Sequence, residues 1–128
     1  MTKQEWDAVN YRGQIHQNGL LELVVDGEFS PQLTQQLLHF VEQMAHESGP
    51  LTGLMLDLRC STSVSIVRAS NLVEALSRIV TPMAVVFIWN QQHQIASLIH
   101  HTLARRDAIA YFTNPTDAWN YLLRRVRV

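Results

Sequence analysis

The sequence predicts an α/β fold: a mixed, mostly parallel sheet of about five strands with an N-terminal antiparallel hairpin and about four helices. Three observations predict it. Short apolar runs at 54–58, 83–89 and 108–112 are typical of strands, the segments between them repeat apolar residues at helical spacing, and an Asn-Gly pair separates two strand-like runs near the start. Helices between the later strands favour right-handed crossovers and hence parallel pairing.

The hairpin strands are predicted at Tyr11–His16 and Leu20–Asp26. Between them lies Gln17-Asn18-Gly19, whose Asn-Gly pair supplies the positive φ angles of tight hairpins. Residues 1–10 are expected to form an N-terminal arm. Residues 11–128 are expected to form a single domain, because this length suits one core and no repeat or linker interrupts it.

The first helix is predicted to begin at Ser30-Pro31, with Ser as the N-cap and Pro at the first helical position, and to end at Ser48-Gly49-Pro50. Its apolar stripe is Leu33, Leu37, Phe40, Val41 and Met44. A second helix follows the strand Leu54–Leu58 and ends at Thr81-Pro82; its stripe is Ala69, Leu72, Val73, Leu76 and Ile79.

The remaining elements continue the alternation. Met83–Trp89 is nearly all apolar, as expected of a strand covered on both faces. A third helix is predicted from Ile95, Leu98, Ile99 and Leu103, and a last strand at Ala108–Phe112. Asn114 then caps a C-terminal helix marked by Trp119, Leu122 and Val126.

Composition excludes several classes of function. Ten basic and eleven acidic residues leave a net charge of -1, so nucleic-acid binding is not expected and charge does not support peripheral membrane association. The longest apolar run, 83–89, is far shorter than the roughly 20 residues that a membrane span needs. The single cysteine, Cys60, cannot form an intramolecular disulfide, which indicates a reducing, cytoplasmic location.

The segment from Gly53 to Ser65 is the most informative, because its apolar run ends at Asp57 and a hydroxyl-rich stretch follows. A carboxylate there can accept backbone N–H bonds, hold a metal or act as a base. No second acidic residue is close in sequence, and the six histidines lack zinc-ligand spacing. We therefore expect neither a metal nor a cofactor, and Asp57 is interpreted as bracing the backbone.

Three stretches carry a resemblance to a known family: Gly19–Gly27, Leu56-Asp57-Leu58-Arg59, and Tyr111–Trp119. With this element order, residues 11–125 resemble the STAS domain of anti-sigma-factor antagonists, within its SpoIIAA-like branch. The resemblance implies a regulatory domain in which a partner kinase phosphorylates a serine of an Asp-Ser-Ser-Gly turn and thereby releases its partner. This chain reads Ser65-Ile66-Val67-Arg68 there and lacks the motif. Ser65 is the nearest candidate for phosphorylation, with helix capping as its other interpretation.

Two functions remain. The first is a non-catalytic regulatory or interaction domain that binds a protein partner or a small apolar ligand through the second helix and the preceding loop, without the phosphoserine switch. Its candidate binding residues are Asp57, Arg59, Ser61, Ser63, Ser65 and Arg68. A homodimer is compatible with this apolar content. The alternative is a small enzyme that uses Cys60 or a loop serine, with Asp57 orienting and a distant histidine such as His93 as base.

Overall fold

A computed structural model describes residues 4–7, 10–16, 18–28, 30–62, 66–88 and 108–126. The described elements are six strands and three helices: β1 (Gln4–Asp7), β2 (Tyr11–Ile15), β3 (Leu20–Glu28), α1 (Pro31–Glu47), β4 (Gly53–Thr62), α2 (Ile66–Ser77), β5 (Met83–Val86), β6 (Ile109–Phe112) and α3 (Pro115–Val126). The predicted α/β class is confirmed. The helix predicted from Ile95 to Leu103 lies outside the described residues.

The strands form one mixed sheet in the order β1-β2-β3-β4-β5-β6. The pairs β1–β2 and β2–β3 are antiparallel, and the other three pairs are parallel. The hairpin between β2 and β3 turns at Gly19, which has a φ of +84° and donates its N–H to the His16 carbonyl at 3.0 Å. The predicted hairpin and the mostly parallel sheet are therefore confirmed.

The sheet has one strand more than the sequence predicts. Gln4–Asp7, within the expected N-terminal arm, forms β1 and pairs with β2 from Gln4 opposite Ile15 to Asp7 opposite Arg12. A four-residue strand with three polar residues has no apolar alternation by which it could be recognised. The arm thus contributes an edge strand.

Helix α1 begins as its sequence predicts. Ser30 has extended backbone angles, and its Oγ accepts a hydrogen bond from the N–H of Leu33 at 3.1 Å, while Pro31 is the first helical residue. Ser48 is the C-cap, so the helix ends where the Ser-Gly-Pro stretch begins. The whole predicted stripe is buried: Leu33, Leu37, Phe40, Val41 and Met44.

The helices form layers on both faces of the sheet. On one face, which we call the α1–α2 face, the buried stripes of α1 and α2 pack on Leu54, Leu56 and Leu58 of β4. On the other, the α3 face, α3 packs through Ala118 and Leu122 on a smaller core. That core also contains Leu20, Met55, Ala84 and Val86. Strand alternation places Asp57, two residues after Met55, on the α3 face.

Strand β4 is longer than predicted. The sequence places its end at Leu58, but the strand continues to Thr62. It continues because β3 runs on to Glu28 and pairs with the polar residues of β4, with Cys60 opposite Asp26 and Thr62 opposite Glu28. The stretch from Arg59 to Thr62, predicted as a loop, is therefore part of the sheet.

The last strands and helix also differ slightly from prediction. β5 ends at Val86, whereas the sequence predicts a strand as far as Trp89, a residue outside the described ones. All four residues of β5 are buried, as expected of a strand covered on both faces. The C-terminal helix α3 has the predicted N-cap, because the N–H of Thr116 donates to Oδ1 of Asn114 at 2.7 Å. In this fold β4 lies between β3 and β5, and α2 packs beside α1 on one face of the sheet.

Candidate functional site

A β-bulge interrupts β4 at the residues that the sequence singles out. Val24 of β3 lies opposite Asp57, and Asp26 lies opposite Cys60, so two residues of β4 face the single residue Val25. Bulges are rare in parallel pairs and leave a backbone group out of the ladder. We call Asp57–Ser61 the bulge segment.

The side chain of Asp57 satisfies the backbone of the bulge segment. Its Oδ1 accepts the N–H of Arg59 at 3.0 Å. The same carboxylate accepts three side-chain bonds from Arg59: from Nη2 to Oδ2 at 2.8 Å, and from Nε to Oδ1 at 3.0 Å and to Oδ2 at 3.3 Å. The Asp57 side chain is 5% exposed and that of Arg59 is 42% exposed. This is a bidentate ion pair with its carboxylate buried and its guanidinium at the surface.

The surroundings of Arg59 raise the pKa of its guanidinium, which is positively charged in any case. The hydrogen bonds that Arg59 donates to Asp57 raise the pKa of Arg59, partial burial lowers it, and Coulombic attraction to Asp57, Cys60 and Glu22 raises it further. Arg59 is therefore a fixed positive group that a buried carboxylate holds against the sheet.

Ser61 and Cys60 have different surroundings. Ser61 is buried, and its hydroxyl donates to the carbonyl of Leu58 at 2.7 Å, a second side-chain bond to the bulge backbone. Cys60 is an exposed free thiol. Cys60 therefore does not pack in the apolar core. His93, the distant base of the enzyme alternative, lies outside the described residues.

Arg68 lies elsewhere, in the first turns of α2. It lines a groove of about 570 Å³ between α1 and α2, which we call the α1–α2 groove. Apolar walls and a polar rim form the groove: Pro31, Leu38, Leu72 and Ala75, with Thr34, Asn71 and Arg68. Leu72 is buried at its floor. The groove combines an apolar interior with few polar groups, the usual composition of a binding surface.

The structure separates the candidate residues predicted from the sequence into two groups. Asp57 and Arg59 lie together on the α3 face, whereas Arg68 belongs to a helix packed on the α1–α2 face. Ser63 and Ser65 lie outside the described residues. The bulge segment and the α1–α2 groove are therefore distinct surfaces, whereas the sequence analysis grouped their residues into one candidate binding surface.

Most of the groove was not among the candidate residues. Its α1 side consists of Pro31, Thr34 and Leu38, which recur at three- and four-residue steps. The α2 side shows the same spacing, in Arg68, Asn71, Leu72 and Ala75. On each helix this stripe lies beside the core stripe, and on α2 the two share Leu72. The spacing was a signal in the sequence, but only the packing of α1 beside α2 shows that the two stripes face one another.

The described residues offer little for other kinds of site. No three His, Cys, Asp or Glu side chains there come together as a metal-binding group. No described helix is long and apolar enough to cross a membrane. On the α3 face, Nε2 of His16 lies 3.0 Å from Oε1 of Glu22, and the His16 ring meets Trp119 edge-on at 4.7 Å, which links the hairpin to α3.

Comparison with solved structures identifies the fold. An uncharacterised protein of the DUF3478 family from Shewanella loihica PV-4, described as having a SpoIIAA-like fold, superposes with a TM-score of 0.57 at 13% identity over 94% of this chain and 92% of that one. This chain has a SpoIIAA-like fold. The agreement confirms the fold that the three sequence stretches indicated, and at this identity it establishes the fold alone.

Two structures of SiaC from Pseudomonas aeruginosa are also similar. One has a TM-score of 0.48 at 18% identity, covering 89% of this chain and 98% of SiaC. The other, apo-SiaC, has a TM-score of 0.47 at 19% identity, covering 88% and 100%. No protein-family model and no curated protein matches the sequence.

Proposed function

We propose that the chain is a non-catalytic interaction domain that binds a protein partner through the α1–α2 groove and the adjoining start of α2. The observation that carries the proposal is the groove itself, with apolar walls, a buried floor at Leu72 and a charged group, Arg68, on its rim. Apolar surface surrounded by polar groups is the usual composition of a protein interface. The SpoIIAA-like fold is compatible with a regulatory role but does not specify one.

The other candidate surface has a structural explanation. Asp57 and Ser61 both bond to backbone groups of the bulge segment, and Arg59 neutralises the buried carboxylate. These contacts account for the residue types at those positions without a ligand. Leu38 packs partly against the core, but together with Pro31 it also presents apolar surface that faces Ala75 across the groove. We therefore assign partner binding to the groove rather than to the bulge segment.

The proposal also concerns the effect that phosphorylation of Ser65 would have on partner binding. It directly precedes Ile66, the first residue of α2, and lies three positions before Arg68. A phosphate there would add roughly two negative charges beside the rim of the groove and so change which partners it accepts. Phosphorylation of Ser65, a homodimer and a cytoplasmic location stay predictions of the sequence.

The proposal is tested by affinity capture with matched variants. Asn71→Trp fills the groove from its exposed rim without removing any core side chain, and Arg68→Glu reverses the charge there. The controls Asn120→Trp and Arg124→Glu make the same changes on the exposed side of α3. We expect a partner that wild type and both controls retain in equal amounts and that both groove variants lose. Equal retention by all five proteins would exclude the groove as the binding surface.

A further inference from the structure

We infer that β1 shields the edge of β2 and thereby prevents two copies of this chain from pairing β2 with β2. The surface concerned is the edge of the sheet at β1, so the inference does not depend on the proposed function of the α1–α2 groove. Loss of one short strand would expose an edge whose occupant is a second copy of the same chain. The cross-strand pairs that each edge can form carry the inference.

The strand β1 covers most of β2. It is the terminal strand of the described sheet and pairs with β2 along all four of its residues, from Gln4 opposite Ile15 to Asp7 opposite Arg12. Without β1, the N–H and C=O groups of β2 that bond to it would lack partners. Such a row of backbone groups is a template for another strand. The presence of β1 therefore determines whether β2 is an inner strand or an edge.

The strand β2 is complementary to itself. A two-fold axis normal to the sheet keeps every residue on its own face, and in the antiparallel register that pairs all of β2, Gly13 lies opposite its own copy. Tyr11 then lies opposite Ile15, and both belong to the α1–α2 face. Arg12 lies opposite Gln14 on the other face. The side-chain pairs thus join apolar with apolar and polar with polar, and no two like charges meet.

Self-pairing of β2 would also bury apolar surface. Tyr11 and Ile15 are only partly buried where they pack against the core, and the ring of Tyr11 lies 5.5 Å from that of Phe40. Gly13 leaves the space between them to Phe40, because a Cβ there would be 2.6 Å from Cζ of that ring. Tyr11 and Ile15 of both copies would form one apolar strip across the junction, which stabilises the pair.

The edge that β1 itself presents is not complementary in this way. Two two-fold registers pair three of its four residues. One of them sets Glu5 opposite its own copy, and the other sets Glu5 opposite Asp7 on both sides of the axis. Like charges directly opposite one another destabilise a strand pair, and short, charged strands commonly protect the edge of a sheet. β1 thus replaces a self-complementary edge with a self-repelling one.

The test detects the β2–β2 register by crosslinking. All chains carry Cys60→Ser, which removes the one native cysteine. One preparation carries Arg12→Cys and the other Gln14→Cys, so two thiols lie opposite one another only when the preparations are mixed and pair; copper phenanthroline then oxidises them to a disulfide. To release β1, both preparations also carry Glu5→Pro and Trp6→Pro. These adjacent prolines remove a backbone N–H of the ladder whichever of the two residues faces β2.

The expected result is a disulfide that needs both mixing and the loss of β1. The proline mixture should give at least about tenfold more crosslinked dimer than either preparation alone, and the mixture with β1 intact no more than they do. Without the cysteine substitutions, light scattering should show that the prolines double the molar mass. Gln14→Arg should then weaken the dimer about tenfold, because it sets arginine opposite Arg12 at two places. The control Asn120→Arg, on the exposed side of α3, should leave the dimer unchanged.

Circular dichroism shows whether each variant is folded, and hydrogen exchange over residues 4–7 shows whether β1 is released. If the prolines unfold the chain, Glu5→Gly with Trp6→Gly weakens β1 more gently. The inference is wrong if folded chains that have released β1 do not crosslink, or if chains with β1 intact crosslink equally. It is also wrong if Gln14→Arg affects the dimer no more than Asn120→Arg does, because the contact would then lie elsewhere.

Discussion

The ion pair between Asp57 and Arg59 is expected to contribute much more to stability than an ordinary surface pair. The perturbation is a double-mutant cycle of Asp57→Asn, Arg59→Met and the double variant. Asparagine keeps an oxygen for the backbone N–H of Arg59, and methionine keeps most of the aliphatic stem. The cycle therefore isolates the charge interaction from the brace of the backbone.

Its magnitude follows from the geometry. Two unit charges about 4 Å apart interact by about 4 kcal/mol at an effective dielectric constant of about 20. The guanidinium is 42% exposed, so water screens part of this, and the buried carboxylate has already lost hydration. Between the 0–1 kcal/mol typical of exposed pairs and the 3–5 kcal/mol lost when buried pairs are broken, we expect a coupling of about 2 kcal/mol.

The chain contains a matched control for this measurement. Arg78 and Glu74 form an i,i+4 pair at 3.1 Å on α2, with side chains 73% and 48% exposed. The cycle of Glu74→Gln and Arg78→Gln is expected to give about 0.3–0.5 kcal/mol. Urea denaturation followed by circular dichroism measures both couplings at the same salt concentration. Equal couplings for the two pairs would refute the role of burial at the bulge segment.

Three further predictions concern the fold. Gly13→Ala places a Cβ 2.6 Å from Cζ of Phe40 and should lower the free energy of unfolding by about 1–3 kcal/mol. Adding Phe40→Leu to this variant should restore part of that loss, which urea denaturation measures. Ser30→Ala removes the N-cap of α1 and should cost about 1 kcal/mol, more than Ser48→Ala at its other end; equal losses would contradict the cap. Burial raises the pKa of Tyr11 above its usual 10.0, so the unfolded chain ionises first as the pH rises above about 10. The free energy of unfolding should therefore fall in that pH range, and it should fall less steeply in Tyr11→Phe.

Turns and helix caps could be predicted from the sequence because their signals are local. The Asn-Gly turn, the Ser30 cap and the Asn114 cap all depend on residues within three positions of one another, and the structure contains all of them. Buried stripes such as that of α1 follow from spacing alone. The fold class could therefore be predicted from short segments taken in order.

The sequence-based prediction was wrong where the length of a strand depends on the neighbouring strand. Arg59 to Thr62 reads as a polar loop, yet it stays in the sheet because β3 continues beside it and a bulge resets the register. The sequence interpreted Asp57 as bracing the backbone, and the structure shows that it does so at this bulge, where its carboxylate accepts the N–H of Arg59. The groove arises from two separate stripes, and only tertiary packing brings them together.

Hydrogen exchange on the chain bound to its captured partner tests most directly whether the α1–α2 groove is the binding surface. Binding should slow exchange in peptides covering α1 and α2, because opening of those helices would then require loss of the partner. Peptides covering α3 and the bulge segment should exchange as in the free chain. Protection confined to α3 or to the bulge segment, with α1 and α2 unchanged, would contradict the assignment.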